Sequence, residues 1–454
     1  MYPKFNNTYS VVIVLYGYCC SSLTKQLELC YSFKREPAKR GKAWKKNGKL
    51  ISHANMSSQM RATCSESRST TVLTMRPLCS RAAALGRAHA HAHRSQVAAV
   101  HGHGGEAPQP GVENQLAADR KELLSFFPTL AKAVQVESQA VGIPHETEWI
   151  GKMLHYVVPK GRLFRGCSAL NACRELLPPD RAELGKPLGL AFEMGYITII
   201  DDLVDEADLR RGQPSWHTLP GVGLHAVNDA FCLHSSVYKV LQRYFRAEPS
   251  YAYLFELFNE CIFRGIIAQN YECHNGFSGS GAARFDDFNH EVHSAQAFFK
   301  ISYYSFYGPL AAALHLAGAS DRSRHEALWR ITKDIGMLFA VQDDYSDCYE
   351  SEAVSGKSQC DIRNGKCTWM VAEAKRRASE SQLALLKENY GFDDAEKVAA
   401  VMHLYAQLGV QEAADEYIRS GYARIAKEID SQCDFPPGML HYTLDSMRQP
   451  LPAS

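Results

Sequence analysis

The stretch YITIIDDLVDEADLRRGQPSWH, residues 196–217, places Asp201, Asp202 and Asp205 at the end of an apolar run. On a helix, positions 201 and 205 lie one turn apart on the same face. Two carboxylates placed so close repel each other, and a divalent cation between them removes that repulsion. Mg²⁺ suits such a position because it takes a few carboxylate oxygens, keeps several waters and completes its coordination with substrate phosphate. The stretch therefore predicts an apolar helix that ends in a magnesium site.

A second stretch, GMLFAVQDDYSDCYE at residues 336–350, repeats this design with Asp343, Asp344 and Asp347. A single acidic turn is most simply a solvated helix face. Two such turns, 142 residues apart and each at the end of an apolar helical run, are harder to explain in that way. If the two clusters face each other across a helical bundle, they form a cage for two or three Mg²⁺ ions and one diphosphate.

Three lysines and one arginine are candidates to bind that diphosphate. Lys300 lies in the otherwise apolar and aromatic run AQAFFKISYYSFYGPL, where a lysine without a partner is costly. Lys357 and Lys366 follow the second cluster in SGKSQCDIRNGKCTW, a loop whose glycines can bend over an anion. A structural salt bridge explains each lysine as well as a phosphate contact does. Together with Arg210, which follows the first cluster, they favour phosphate binding.

The organisation of the chain predicts an all-α domain over residues 114–454. From about residue 115 apolar residues recur at three- and four-residue spacing, and no long stretch alternates like a half-buried strand. No βαβ unit and no glycine-rich nucleotide loop is expected. At 454 residues and 46% hydrophobic composition the chain can bury its own core, so its 14 scattered cysteines are interpreted as reduced thiols.

Residues 1–113 are predicted to be a separate, unfolded leader. Residues 1–105 hold 16 Lys and Arg but three acids, which leaves an acidic body and a formal net charge of +1 overall. No global basic field indicates nucleic acid as a partner. The Arg-, Ser- and Ala-rich text from Met56 is typical of a mitochondrial presequence. The alternative is a misassigned gene start, so the expected location is mitochondrial or cytoplasmic. The apolar run 10–23 is too short for a stable membrane span.

The motifs DDLVDEADLRRG, FKISYYSFYGP, QDDYSDCYE and GKSQCDIRNGKCTW together resemble the farnesyl diphosphate synthase family of trans-isoprenyl diphosphate synthases. The resemblance implies the isoprenoid synthase fold, a bundle of helices around a deep apolar cavity, and a homodimer. It implies that Asp201, Asp205 and Asp343 bind Mg²⁺ and that Asp202, Asp344 and Asp347 support them. It also implies an allylic diphosphate site formed by Arg210, Lys300 and Lys357, with Gln269 and Glu272 lining it.

Several positions depart from the family pattern at the site for the second substrate, isopentenyl diphosphate. Where the family has Gly-Gly-Lys-x-Asn-Arg, this chain has PKGRLFRG, which keeps Gly161 and Arg165 but replaces Lys by Arg162 and Asn by Phe164. Met194, Ile301 and Ala340 stand where the family usually carries Gln, Thr and Gln. The basic carboxy terminus is replaced by DSMRQPLPAS. None of these changes affects an aspartate of the two clusters.

These departures predict a terpene synthase that ionises an allylic diphosphate and no longer condenses it, like the insect terpene synthases that resemble this family. The resemblance also implies that side chains just before the first cluster set the length of the chain that is bound, and the bulky Tyr196 and Ile197 stand there. Farnesyl diphosphate is therefore the expected substrate and a sesquiterpene the expected product. Geranyl diphosphate remains an alternative substrate. The alternative function is a prenyltransferase that tolerates the altered motif through Arg162, Arg165 and Arg211. A third hypothesis is a catalytically silent partner subunit, although such a subunit has no need of six carboxylates.

Overall fold

The computed structural model describes residues 44–46, 49–51, 110–194, 197–276, 281–350, 360–432 and 434–448. The chain divides into two compact units, residues 1–92 and 93–454. In the first unit the described residues form one antiparallel hairpin, β1 (Trp44–Lys46) and β2 (Lys49–Ile51). The presequence-like stretch and Tyr196 lie outside the described residues. For Ile197 the structure describes the backbone and not the side chain. The boundary between residues 113 and 114 stays a prediction.

The second unit is helical, which confirms the all-α prediction. Its α-helices are α1 (Pro110–Gln139), α2 (Pro144–Val157), α3 (Phe164–Leu176), α4 (Gly185–Glu193), α5 (Ile197–Val204), α6 (Ala226–Phe245), α7 (Tyr251–Gly276), α8 (His290–Ala297), α9 (Gly308–Leu316), α10 (Arg322–Tyr349), α11 (Trp369–Arg377), α12 (Glu380–Asn389), α13 (Ala395–Leu408), α14 (Val410–Ser431) and α15 (Pro437–Asp445). A π-helix spans Phe298–Tyr307, and short 3₁₀ helices span Ala182–Leu184, Trp216–Thr218, Gly223–His225 and Phe285–Asp287. Within the part described, no helix has the length and apolarity that crossing a bilayer requires.

Side-chain caps fix where the helices near the two aspartate clusters begin. Asp321 precedes α10 and its carboxylate accepts a hydrogen bond from the amide of Arg324 at 3.0 Å. Thr368 precedes α11 in the same way, and its hydroxyl accepts from the amide of Val371 at 3.2 Å. Each cap satisfies an amide that a helix start leaves without an intrahelical partner. The first turn of the long helix α10 and the first turn of α11 are therefore each fixed by a side-chain cap.

The π-helix lies against α10, α7 and α9 at the centre of the unit. It lies very close to α10 at Gly336, where a Cβ atom would lie 2.3 Å from Ser302 Oγ and 2.5 Å from Ser302 Cα. Glycine is thus required at residue 336 because the two backbones nearly touch there. Such π-helical segments are frequent at functional sites, since the wider turn changes the direction of the side chains that follow. This segment carries Lys300.

A short hairpin, β3 (Leu209–Arg210) and β4 (Gln213–Pro214), follows the first aspartate cluster. The Tyr156 hydroxyl on α2 donates to the Pro214 carbonyl at 2.7 Å. Directly after the hairpin, the Trp216 indole donates to a carboxylate oxygen of Asp229 on α6 at 2.8 Å. The hairpin is therefore anchored to two helices, and this anchorage restricts the position of Arg210.

The pH dependence of folding is expected to include a contribution from His315, which stacks on His325 at 4.4 Å between ring centroids. Burial, and the neighbouring His325, lower the pKa of His315 to about 4. Because the pKa in the folded state lies below the unfolded value of about 6.5, His315 contributes stability above pH 6.5 that is lost as the pH falls towards 4. After allowance for partial exposure, the loss is about 1–2 kcal/mol.

This loss can be measured as the free energy of unfolding in urea at pH 7.5 and at pH 4.5. A His315→Gln variant should show a smaller drop between the two pH values than the wild type. A His145→Gln variant is the matched control, because His145 is exposed at the surface. An unchanged drop in the His315→Gln variant would contradict the assignment.

Candidate active site

The first aspartate cluster is formed by the end of α5 and the residues that follow it. The guanidinium of Arg210 reaches back from β3, so that Nε donates to Asp202 Oδ1 at 2.5 Å and Nη2 donates to Asp201 Oδ2 at 2.9 Å. Asp202 and Asp205 are buried, whereas Asp201 is partly buried. The structure therefore brings the predicted cluster and Arg210 together into one group.

Lys300 joins this group from the π-helix. Its Nζ donates to Asp201 Oδ1 at 2.9 Å and also contacts the Glu272 carboxylate on α7. The cost of burying a lysine in an apolar run is thus offset by two carboxylate partners. Gln269 lies one turn before Glu272 on α7 and is 5% exposed, yet neither amide atom of its side chain has a hydrogen-bond partner. A buried amide without partners is one that a ligand can satisfy.

The loop before α11 completes the surroundings of Asp205. Lys366 Nζ donates to Asp205 Oδ2 at 2.6 Å and lies 3.1 Å from Asp361 Oδ1. The Asn364 side chain donates to the Asp205 carbonyl at 3.2 Å. Lys357 lies outside the described residues. Of the two loop lysines predicted to bind diphosphate, Lys366 is thus placed beside the first cluster.

The second cluster is carried by the carboxyl end of α10. Asp343 is exposed, whereas Asp344 Oδ2 accepts the amide of Trp369 at 2.7 Å and lies 3.0 Å from His293 Nε2. The two oxygens of Asp347 accept the amides of Cys360 and Asp361, at 3.1 Å and 3.0 Å. The second cluster is therefore bound to the same loop that contacts the first.

Asp361 connects the two clusters. Its amide donates to Asp347 and its carboxylate lies against Lys366, which in turn contacts Asp205. The ligand atoms of Asp347, Cys360 and Asp361 lie within 4.8 Å of one another, close enough to share one cation. Residues 201–205 and 343–347, far apart in the sequence, thus meet through a few side chains.

The three aspartates of the first cluster differ in the direction in which their pKa is shifted. Burial raises the pKa of Asp202 and of Asp205 to about 6, although Arg210 and Lys366 oppose this change. Burial also opposes the ionisation of Asp201, but Lys300, Lys366 and Arg210 overcome it and hold the pKa of Asp201 below its usual range. Carboxyls whose ionisation is costly gain from a further positive charge nearby.

The residues present fit a divalent cation that prefers oxygen ligands. Asp205 Oδ1 is buried and has no hydrogen-bond partner, so one carboxylate oxygen of the first cluster is available for a further contact. The other aspartates of the two clusters also offer carboxylate oxygens, which suit Mg²⁺, whereas the Cys360 thiol beside Asp347 does not. The site is therefore an acidic cluster with the chemistry of a metal site.

Comparison with known proteins supplies the family. The polyprenyl synthetase model matches residues 147–408, more than half of the chain. The chain belongs to this family. Farnesyl pyrophosphate synthase from Gallus gallus is 32% identical over 344 residues, which cover 72% of this chain and 92% of that protein. Farnesyl pyrophosphate synthase 1 from Parthenium argentatum is 36% identical over 289 residues, and farnesyl pyrophosphate synthase 2 from Arabidopsis thaliana is 33% identical over 322 residues. These alignments cover 62% and 69% of this chain and 84% and 93% of the two relatives.

Membership of the polyprenyl synthetase family confirms the resemblance to trans-isoprenyl diphosphate synthases and the isoprenoid synthase fold. The terpene synthase prediction is wrong, and so are the lyase class and the sesquiterpene product. The relatives are named farnesyl pyrophosphate synthases, which agrees with the prenyltransferase alternative.

The apolar substitutions from which the loss of the second anion site was predicted have a different role in the structure. Phe164 is 8% exposed, and its ring packs on those of Phe306 and Phe339 at 5.4 Å and 5.3 Å. Met194 and Ala340 are 0% and 2% exposed and belong to the same core. These side chains fill the interior of the bundle, so their apolar character does not by itself remove a site for an anion.

Two arginines of the prenyltransferase alternative, Arg162 and Arg211, have close contacts within the protein. Arg162 Nη1 donates to the Met447 carbonyl at 3.1 Å, and burial lowers its pKa while the charge of Asp343 opposes this change. Arg211 has φ of +56° and packs so tightly on Gly161 that a Cβ atom there would lie 2.8 Å from its side chain. Burial lowers the pKa of Arg211 to about 10, and Glu193 opposes this change.

Three residues of this site were not predicted from the sequence. Glu193, a lone acid in the apolar run GLAFEMGYITII, lies 4.0 Å from Arg165 Nη1. Asp361 precedes Lys366 in the glycine-containing loop, and His293 stands seven residues before Lys300. For Glu193 the same signal that singled out Lys300, a charge within an apolar helix, was available.

Proposed function

We propose that this chain is a prenyltransferase that condenses isopentenyl diphosphate with an allylic diphosphate to give geranyl or farnesyl diphosphate. The observation that carries the proposal is the presence of two groups of cationic side chains. Arg210, Lys300 and Lys366 lie among the aspartates. Arg165 and Arg211 both lie near Glu193, and Arg162 precedes Arg165 by three residues, so these three arginines are taken as the second group. One group suits each of two diphosphates, because guanidinium and ammonium groups bind phosphate oxygens well. The names of the relatives support the same reaction.

Two or three Mg²⁺ ions are proposed to be held by the two carboxylate clusters. Bound there, Mg²⁺ supplies positive charge that stabilises the diphosphate leaving group. The proposed ligands are Asp201, Asp202, Asp205, Asp343, Asp344 and Asp347.

The protein's own side chains bind and orient the allylic diphosphate. Arg210 and Lys300 already converge on Asp201, so they add fixed positive charge next to the carboxylates without reorganisation at the moment of reaction. Lys366 does the same beside Asp205. Gln269 offers a buried amide, and Lys357 is proposed to complete this group.

The test is an incubation of the full chain with Mg²⁺ and geranyl diphosphate or dimethylallyl diphosphate, with and without isopentenyl diphosphate. A prenyl diphosphate five carbons longer is expected only when isopentenyl diphosphate is present. Formation of a hydrocarbon without isopentenyl diphosphate, or no diphosphate release with any of these substrates, would refute the proposal.

A homodimer is also proposed, supported by an apolar surface on α7. Phe263, Ile266 and Ile267 are 59%, 39% and 53% exposed, and their spacing places them on one face of the helix. Exposed apolar side chains in such a group are typical of an interface. Light scattering is expected to give twice the chain mass for the wild type and the single mass for Ile267→Glu. Leu385→Glu on α12 is the control, and a monomeric wild type would refute the dimer.

A further inference from the structure

Arg165 is held along its edge by two polar side chains. Its Nε donates to Ser305 Oγ on the π-helix at 2.9 Å. Its Nη1 lies 4.0 Å from Glu193 Oε2, and the Glu193 side chain is 1% exposed. Glu193 is itself fixed, because its Oε1 accepts the amide of Gly166 at 2.9 Å. The Nε donor of the guanidinium is therefore committed to Ser305, while Glu193 supplies a nearby negative charge at a longer distance.

The central carbon of the same guanidinium lies over an aromatic ring. Arg165 Cζ is 4.5 Å from the centroid of the Phe164 ring and 5.7 Å from that of Tyr304. The Phe164 ring also packs on those of Phe306 and Phe339, at 5.4 Å and 5.3 Å between ring centroids. The ring thus lies against the charge at a distance typical of a cation–π contact.

A ring under the guanidinium has a chemical advantage over a polar side chain. An amide carbonyl at residue 164 could hold Arg165 only by accepting one of its in-plane N–H groups. An aromatic ring attracts the cation through its face and uses none of these donors. The N–H groups that Ser305 and Glu193 leave free remain available for the oxygens of a diphosphate, which arginine binds in its own plane.

We propose that Phe164 is a positioning residue for the second diphosphate site, and that its ring directs the free donors of Arg165 towards isopentenyl diphosphate. This inference rests on the proposed function, since it assigns a role in binding the second substrate. It also gives the residue that departs most from the family pattern a part in that site.

The first test compares the KM values of the two substrates in Phe164→Leu and Phe164→Met, which keep an apolar side chain without a ring face. The KM for isopentenyl diphosphate should rise about tenfold, whereas the KM for the allylic diphosphate and the turnover number should change by less than about threefold. Phe164→Tyr, which keeps the ring, should restore a value close to that of the wild type. Circular dichroism shows which variants are folded.

Phe306→Leu is the matched control. Phe306 packs on Phe164 and is 0% exposed, so its truncation also removes a ring from the same aromatic cluster. Because this variant keeps the Phe164 ring and its contact with Phe339, the KM for isopentenyl diphosphate should stay within about threefold of the wild type. An equal rise in Phe306→Leu and Phe164→Leu, or an equal rise for both substrates, would overturn the inference in favour of general core packing.

A binding measurement separates this inference from the proposed function. Calorimetric titration of inorganic pyrophosphate without Mg²⁺ reports mainly on the cationic side chains, and Phe164→Leu should weaken it about tenfold relative to Phe306→Leu. If the wild type does not elongate the allylic diphosphate but this difference in pyrophosphate binding is found, the proposed reaction fails while the positioning role stands. If the wild type is active and neither the KM nor the titration changes, the positioning role fails alone.

Discussion

Replacing Asp201 with asparagine is expected to lower the turnover number of the proposed condensation by about 10²- to 10³-fold. Asp201 is the point at which Arg210 and Lys300 converge, and it is the aspartate whose pKa the surrounding cations hold low. The substitution removes its negative charge and leaves two partly buried cations with one partner fewer. The measurement is the initial rate at saturating substrates, with the Mg²⁺ concentration varied.

The matched control for this prediction is Asp208→Asn. It makes the same chemical change seven residues later, at a side chain that is exposed, and the rate should stay within about twofold of the wild type. If Asp201→Asn kept more than a tenth of the wild-type rate at every Mg²⁺ concentration, the assignment of Asp201 as a metal ligand would be wrong. A large loss restored by high Mg²⁺ would show that Asp201 contributes to metal affinity more than to the chemical step.

The carboxylates and cations of the site could be predicted because they contrast with their surroundings in the sequence. Asp201 and Lys300 stand out in apolar runs, and the structure brings them to within hydrogen-bonding distance. Asp361 could not be found in this way, because it lies in a polar loop where a carboxylate needs no explanation. Its role depends on a backbone contact with Asp347 and a side-chain contact with Lys366, which no spacing rule predicts.

The reaction was predicted wrongly for a related reason. A sequence shows that Phe164 is apolar but not which way its ring faces. In the structure its ring stacks on Phe306 in the core and also lies under Arg165, so one substitution serves packing and charge together. The helical class was easier to predict, because it depends on the periodicity of many residues. The π-helical turn at residues 298–307 was not predicted, because the local pattern of apolar residues there does not distinguish it from an α-helix.

Replacing Gly336 with alanine is expected to lower the free energy of unfolding by about 2–3 kcal/mol. The added Cβ would lie 2.3 Å from Ser302 Oγ and 2.5 Å from Ser302 Cα, so a backbone must move. Rotation of the Ser302 hydroxyl could relieve the first contact but not the second. Urea unfolding followed by circular dichroism measures the loss.

The same substitution should also lower the turnover number. Ser302 lies two residues from Lys300 on the π-helix, and Gly336 lies on the helix that carries Asp343 and Asp344. Separating these two elements changes the distance between the cations and the second cluster. A displacement of about 1 Å in a catalytic group can reduce the rate substantially, so we expect at least a tenfold lower turnover number at a temperature where the variant is fully folded.

Gly421→Ala provides the control for both effects. A Cβ atom at residue 421 would meet Leu338 Cδ1 at 2.8 Å, but that atom is the end of a flexible side chain that can rotate away. The expected loss of stability is below about 1 kcal/mol, with an unchanged turnover number. Equal stability of Gly336→Ala and the wild type would mean that α10 and the π-helix are not in close backbone contact. A destabilised variant with full turnover would mean that their separation does not set the geometry of the two clusters.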